Sequence, residues 1–252
     1  MDVLDLRDFY DEGLGRLART LLRRRIRQIW PDLKGERVLG LGYATPYLSP
    51  GEEGGERTIA LMPAGQGVLH WPSEGRGLAV LAGEDELPFP DLFFDRVLVV
   101  HALEFSRDVR PALREIWRVM SERGRLLVVA PNRRGIWARF DHTPFGQGHP
   151  YTARQLSALL RDTMFAPLPA WGALYVPPVR SRLVAGAGVA WERMCEPWFD
   201  AVAGAVVVEA AKRIYAADPA AGARRRRRVF AAEPGGAVRR GGTNLAAPLR
   251  RG

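Results

Sequence analysis

The residues in this chain whose types and spacing suit them to chemistry fall in four places. His101 ends an apolar run, DRVLVVHAL, and an imidazole there can take or give a proton near neutral pH. The loop NRRGIWARFDHTPFGQGHPY adds Asn132, Arg133, His142, His149 and Tyr151, donors and acceptors able to hold a polar ligand. Glu84 and Asp85 lie in GEDE (83 to 86), and carboxylates accept hydrogen bonds from hydroxyl and amino groups. Gly40 and Gly42 in RVLGLGYATPYL, followed by Tyr43 and Ala44, form a turn through which backbone amides can meet an anionic group at a helix start. Each place also has a plainer reading. A single histidine is more often a structural hydrogen-bonding residue than a base, acidic loops are commonly solvated, and GLGYAT alone fits any tight strand-to-helix turn. His142 and His149 are too few and too loosely spaced for a metal site, so no metal is expected.

These residues need elements to hold them, and the apolar pattern supplies the elements. Leu14, Leu17, Ala18, Leu21, Leu22, Ile26 and Ile29 recur at helical spacing, with Arg16, Arg19, Arg23, Arg24 and Arg27 between them, so one N-terminal covering helix is predicted within residues 1 to 34. Its basic face is either solvated or meets a phosphate-bearing partner or membrane surface. The runs at 37 to 42, 57 to 62, 77 to 82, 95 to 103 and 125 to 131 are short and continuously apolar, the character of strands buried on both faces. Between the last two, DVRPALREIWRVMSERG predicts a helix from an Asp108 cap to a stop near Gly124, and after them TARQLSALLRDT predicts another from Thr152. Segments 169 to 178 and 204 to 216 read as two strands that pair around a mainly helical insertion, about 178 to 203. The predicted fold class is α/β, with a mostly parallel, doubly wound seven-stranded sheet closed by an antiparallel hairpin.

That order resembles the class I S-adenosylmethionine-dependent methyltransferase superfamily, in its small-molecule, type 11-like branch. The residues that carry the resemblance are LPFPDLFFDRVL (87 to 98), followed by HALEF, LREIWRVMSERGRLLVVAPN and a last strand ending in Lys212. A group of bacterial methyltransferase-like proteins with a TPFGxGxPY loop is similar over 143 to 151. The resemblance covers residues 35 to 216 and implies a Rossmann-like domain binding S-adenosylmethionine. It implies that Gly40, Gly42, Tyr43, Ala44, Met62, Glu84, Asp85 and His101 surround the cofactor, and that Asn132, Arg133, His142, His149 and Tyr151 face the acceptor. It also makes His101 the candidate base, needed only where the acceptor must lose a proton. Three positions depart from the family pattern: Gly40 stands for the usual acidic residue, Ala44 and Pro46 alter the turn, and Met62 replaces the carboxylate that holds the ribose. Losing such hydrogen bonds costs roughly 1.5 to 3 kcal/mol, which is about ten-fold to a hundred-fold in affinity. Replacing Gly42 with a bulky residue is expected to abolish cofactor binding and leave the fold.

Three functions stay open on these residues: methyl transfer to a small molecule, methyl transfer to nucleic acid, and binding or regulation without catalysis. The net charge of +9 is unevenly placed, with +7 after residue 215 and +2 before it. Residues 217 to 252 are rich in arginine and poor in large apolar side chains, so a disordered tail is predicted. Such a tail either contacts RNA, DNA or other anions weakly through charge alone, or is a neutral solvated extension. Cys195 is the only cysteine, which excludes an internal disulfide. The N-terminus lacks the basic start and apolar run of a secretion signal, and no apolar stretch is long enough to cross a bilayer, so a cytoplasmic protein is expected.

Overall fold

A computed structural model describes residues 1–50, 56–179, 191, 192, 194 and 203–214. The chain divides into two compact units, Met1–Ala216 and Ala217–Gly252. The second unit, with its predicted tail, lies outside the described residues, as does most of the predicted insertion at 178 to 203.

Eight strands form one sheet: β1 (Arg37–Gly42), β2 (Arg57–Pro63), β3 (Ala79–Ala82), β4 (Phe94–Val100), β5 (Met120–Pro131), β6 (Phe165–Pro167), β7 (Trp171–Ala173) and β8 (Ala205–Lys212). Their order is β3-β2-β1-β4-β5-β8-β6, and β7 lies against β8 beside β6. The first five pair in parallel. β8 enters antiparallel between β5 on one side and β6 and β7 on the other. The predicted closing hairpin is therefore present as β7 and β8, and β6 is an eighth strand that its three residues made too short to read.

Alternate residues of the strands feed two cores, as the period of a strand requires. Val38, Ala60, Met62, Leu98, Val100, Leu127 and Val129 pack under two N-terminal helices, α1 (Val3–Asp11) and α2 (Gly13–Ile29). Leu39, Leu41, Leu61, Val97, Val99, Leu126 and Val128 pack against α3 (Val109–Val119) and α4 (Ala153–Asp162). Where one N-terminal helix was predicted, the segment forms two. α1 begins at a capping box, with the Asp2 carboxylate accepting from the Leu4 and Asp5 amides and the Asp5 carboxylate accepting from the Asp2 amide. Among the described residues, a short 3-10 turn, Thr45–Tyr47, follows β1 in place of a long helix.

α3 starts at the predicted Asp108 cap but ends at Val119, five residues before Gly124. The reason is tertiary. The carbonyls that a helix end leaves open are taken by the Leu92 and Phe93 amides, bonded to Arg118 and Val119 at 3.0 and 2.7 Å. The Met120 carbonyl accepts from Lys212 Nζ at 2.7 Å. With its last turn satisfied from outside, the chain turns directly into β5.

The segment LPFPDLFFD is the anchor of that corner. Arg118 on α3 donates to the Leu87 and Phe89 carbonyls and pairs with Asp91 and Glu115, while Glu115 accepts from the Leu87 amide. Asp95 at the start of β4 accepts from the backbone amide and the side chain of Arg37, fixing the register of β4 beside β1.

Candidate site at the carboxyl edge of the sheet

In an open α/β sheet, ligands meet the carboxyl ends of the strands where the strand order reverses. Here that point lies between β1 and β4, and α1 crosses it. The Val3 amide donates to the Gln66 carbonyl at 2.8 Å, and Gln66 Nε2 donates to the His101 carbonyl at 2.6 Å. At the other end of α1, Tyr10 is fully buried and stacks on Tyr43 with ring centres 5.5 Å apart.

The buried polar groups around Tyr10 form one chain. Tyr47 donates to the Tyr10 hydroxyl at 3.0 Å, and Tyr10 lies 2.8 Å from Nε2 of His101. With its oxygen already accepting, Tyr10 donates to Nε2, which makes His101 the tautomer protonated on Nδ1. That proton is directed at Glu104 Oε1, 3.0 Å away, while Glu104 Oε2 is buried without a hydrogen-bond partner. Burial pushes the Tyr10 and Tyr47 phenols well above their ordinary range. Burial, reinforced by the negative charge of Asp11, pushes Tyr43 up to about 12. All three phenols are neutral at physiological pH. His101 has a φ of 50°, a left-handed conformation that a residue other than glycine seldom adopts. Both of its ring nitrogens face protein, so in this arrangement it is closed off from solvent.

The glycine turn is similarly engaged by its own chain. Gly42 has a φ of 79°, and a side chain there would run into the Val100 carbonyl, which the Tyr43 amide already meets at 2.8 Å. A side chain at Gly40 would meet Leu48 and Ala44, both buried. Both glycines thus sit at close chain contacts, so a bulky residue at Gly42 would strain the fold itself as well as any ligand contact. Met62 is buried, and its sulfur accepts from the Leu69 amide at 3.2 Å.

Two cavities flank α1. One, of about 500 Å³, opens beside Met1 at the ends of β2, β3 and β4, and Gln66, Glu84, Asp85, Ala102 and Phe105 line it. The other, of about 560 Å³, opens beside Tyr10 and Asp11 and is bordered by Tyr43, Met62, His70 and Trp71. The predicted cofactor residues are consequently divided: Glu84 and Asp85 border the first, Tyr43 and Met62 the second, and Gly40, Gly42, Ala44 and His101 neither.

The acceptor-side residues divide too. His149 and Tyr151 line a third cavity, of about 400 Å³, with Phe105 to Arg110. The His149 amide donates to the Glu104 carbonyl, and burial, aided by the charge of Glu104, pushes the Tyr151 phenol up. Arg133 donates to the Pro150 carbonyl at 3.1 Å and Asn132 to the Ala203 carbonyl at 2.8 Å, so both hold the loop in place. His142 is exposed, and its ring meets that of Phe140 edge-on. Sequence reasoning missed Tyr10, Tyr47, Gln66 and Glu104. Asp2 with Asp5 at capping distance, and Val3, Leu6 and Tyr10 on one helical face, were the signals for α1 and its plug.

Residues 40–128 match the family model described as a methyltransferase domain. An S-adenosylmethionine-dependent methyltransferase from Thermotoga maritima has a similar structure, with a TM-score of 0.58 at 16% identity, covering 84% of this chain and 96% of that one. A methyltransferase of Haloferax volcanii, solved with the Trm112 methyltransferase activator, gives 0.58 at 16%, over 84% and 99%. The cyclase SpnF gives 0.52 at 20%, over 77% and 80%. No curated protein sequence matches the chain significantly. The match marks a methyltransferase domain within residues 40–128, and the fold is the one seen in these S-adenosylmethionine-dependent methyltransferases. The cofactor that this domain and fold imply is S-adenosylmethionine.

The cavity at Glu84 and Asp85 has the size and the acceptors for the adenosine part of that cofactor. The space above the glycine turn does not fit the methionine part, because Tyr10, Tyr43 and Tyr47 occupy it. Among the described residues no helix is long and apolar enough to cross a membrane.

Proposed function

We propose that the protein transfers a methyl group from S-adenosylmethionine, receiving the adenosine end at Glu84 and Asp85 once α1 has drawn Tyr10 away from the glycine turn. The observation that supports this most directly is the open cavity of about 500 Å³ at the ends of β2, β3 and β4. Its two carboxylates can accept from ribose hydroxyls or from the adenine amino group. Transfer from a sulfonium chiefly requires an acceptor held close and in line, so positioning supplies most of the acceleration. The segment that suggested a small-molecule acceptor is occupied in holding α3 and carries no argument about the acceptor.

Calorimetric titration tests the reading. Saturable binding of S-adenosylmethionine is expected, tighter in Tyr10→Ala than in the parent protein and weaker in Asp85→Asn. Absence of heat at millimolar ligand in both the parent and Tyr10→Ala refutes it. The hydrogen-bonded chain from Tyr47 to Glu104 supports a second reading, a binding protein of this fold without catalysis. On that reading Tyr10→Ala leaves the titration flat.

A further inference from the structure

α2 carries Arg16, Arg19, Arg23, Arg24, Arg25 and Arg27 and no carboxylate. Its apolar residues Leu14, Leu17, Leu21, Leu22 and Ile26 are buried in the core, which commits the opposite side to the arginines. Arg19, Arg23 and Arg27 follow one another at intervals of four, a single stripe roughly 12 Å long. An open groove of about 830 Å³ runs along the stripe, bordered also by Thr20, Gln28 and Pro46.

Neither Arg19, Arg23 nor Arg27 has an ion pair among the described residues. Arg23 Nε is buried without a hydrogen-bond partner. Burial, and then repulsion from Arg27 and Arg19, hold that guanidinium below its ordinary range. Like charges four residues apart destabilise a helix, and a bound polyanion reverses the sign of that effect. Arg19 and Pro46 also border the cavity beside Tyr10, where His70 is exposed and Trp71 half-buried. A row of cations leading to accessible rings is the arrangement that holds a sugar-phosphate backbone while a base stacks.

We infer that the arginine stripe of α2, with the ring-bordered cavity at its Arg19 end, binds a single strand of nucleic acid. A bilayer surface suits it less: α2 exposes no large apolar side chain that could enter lipid. A duplex suits it less because its bases are already stacked and cannot reach His70 or Trp71. The surface is separate from the Glu84 and Asp85 cavity and binds whether or not methyl is transferred.

The test is fluorescence anisotropy with a labelled oligouridine of about 16 nucleotides. The full chain is used, with Arg224 to Arg228 replaced by serine so that they do not mask the stripe. Replacing Arg19, Arg23 and Arg27 together by glutamine is expected to weaken binding at least ten-fold at about 50 mM salt and to lower the log-log salt slope by about 2. Arg27→Glu, at an exposed position, should weaken binding in the same direction without disturbing a packed residue. Trp71→Ala should weaken the single strand and leave a duplex of equal length unaffected. Unchanged affinity in the triple variant and in Arg27→Glu overturns the inference, as does equal or tighter binding of phosphatidylserine vesicles by the parent protein.

Discussion

Tyr10 and Gly42 illustrate how one residue type can serve two masters. A glycine after a first strand leaves room for a ligand, and it equally leaves room for a neighbouring carbonyl; at Gly42 the carbonyl of Val100 takes that room. Gly42→Ala is therefore expected to destabilise the protein by about 1 to 3 kcal/mol, the scale of a strained backbone position, in urea unfolding followed by circular dichroism. Tyr10→Phe keeps the ring stacked on Tyr43 but removes the hydroxyl that links Tyr47 to His101. It should cost about 1 to 3 kcal/mol by leaving buried partners unpaired. Residue types alone marked His101, Glu84 and Asp85 as interesting. They could not say that His101 would be enclosed, because Tyr10 on α1 and Tyr47 behind it, which close the site, are distant in sequence.

Elements were legible where a long apolar pattern decided them and illegible where a tertiary partner did. β1, β2, β4 and β5 are read from continuous runs because each is packed on both faces; β3, also expected to be buried on both, is instead a sheet edge with Leu81 exposed. The end of α3 could not be read, since Leu92, Phe93 and Lys212 supply its caps. The corner built by Arg118 gives a prediction at this scale. The hydrogen bond from Arg118, outweighing burial, holds the Glu115 carboxyl below its ordinary value. At Asp95 burial pushes upward, and the hydrogen bonds from Arg37 and Ser121 together bring the carboxyl below its ordinary value. Folded values that are depressed contribute stability that is fully present above the unfolded carboxyl range of about 4 and is lost as pH falls through the folded values. Thermal unfolding should accordingly fall steeply below about pH 4. Arg118→Ala should lower stability at neutral pH by about 2 to 3 kcal/mol and flatten that acid dependence.

At the scale of the whole first unit, the sheet depends on its last strand, β8. β5 borders β8 along Arg125 to Pro131, and among the described residues β6 and β7 pair with the rest of the sheet through β8. Trp30 at the end of α2 also donates to Glu209 on β8, so the first helical layer is tied to the last strand. A nascent chain that has emerged only as far as residue 204 presents an open, apolar β5 edge and two short strands with nothing to pair. Chains ending at 204 should aggregate on expression, whereas chains ending at 216 should stay soluble, as sedimentation of lysates will report. Until Ala205 to Lys212 emerge from the ribosome, the molecule is an unfinished edge in need of shelter.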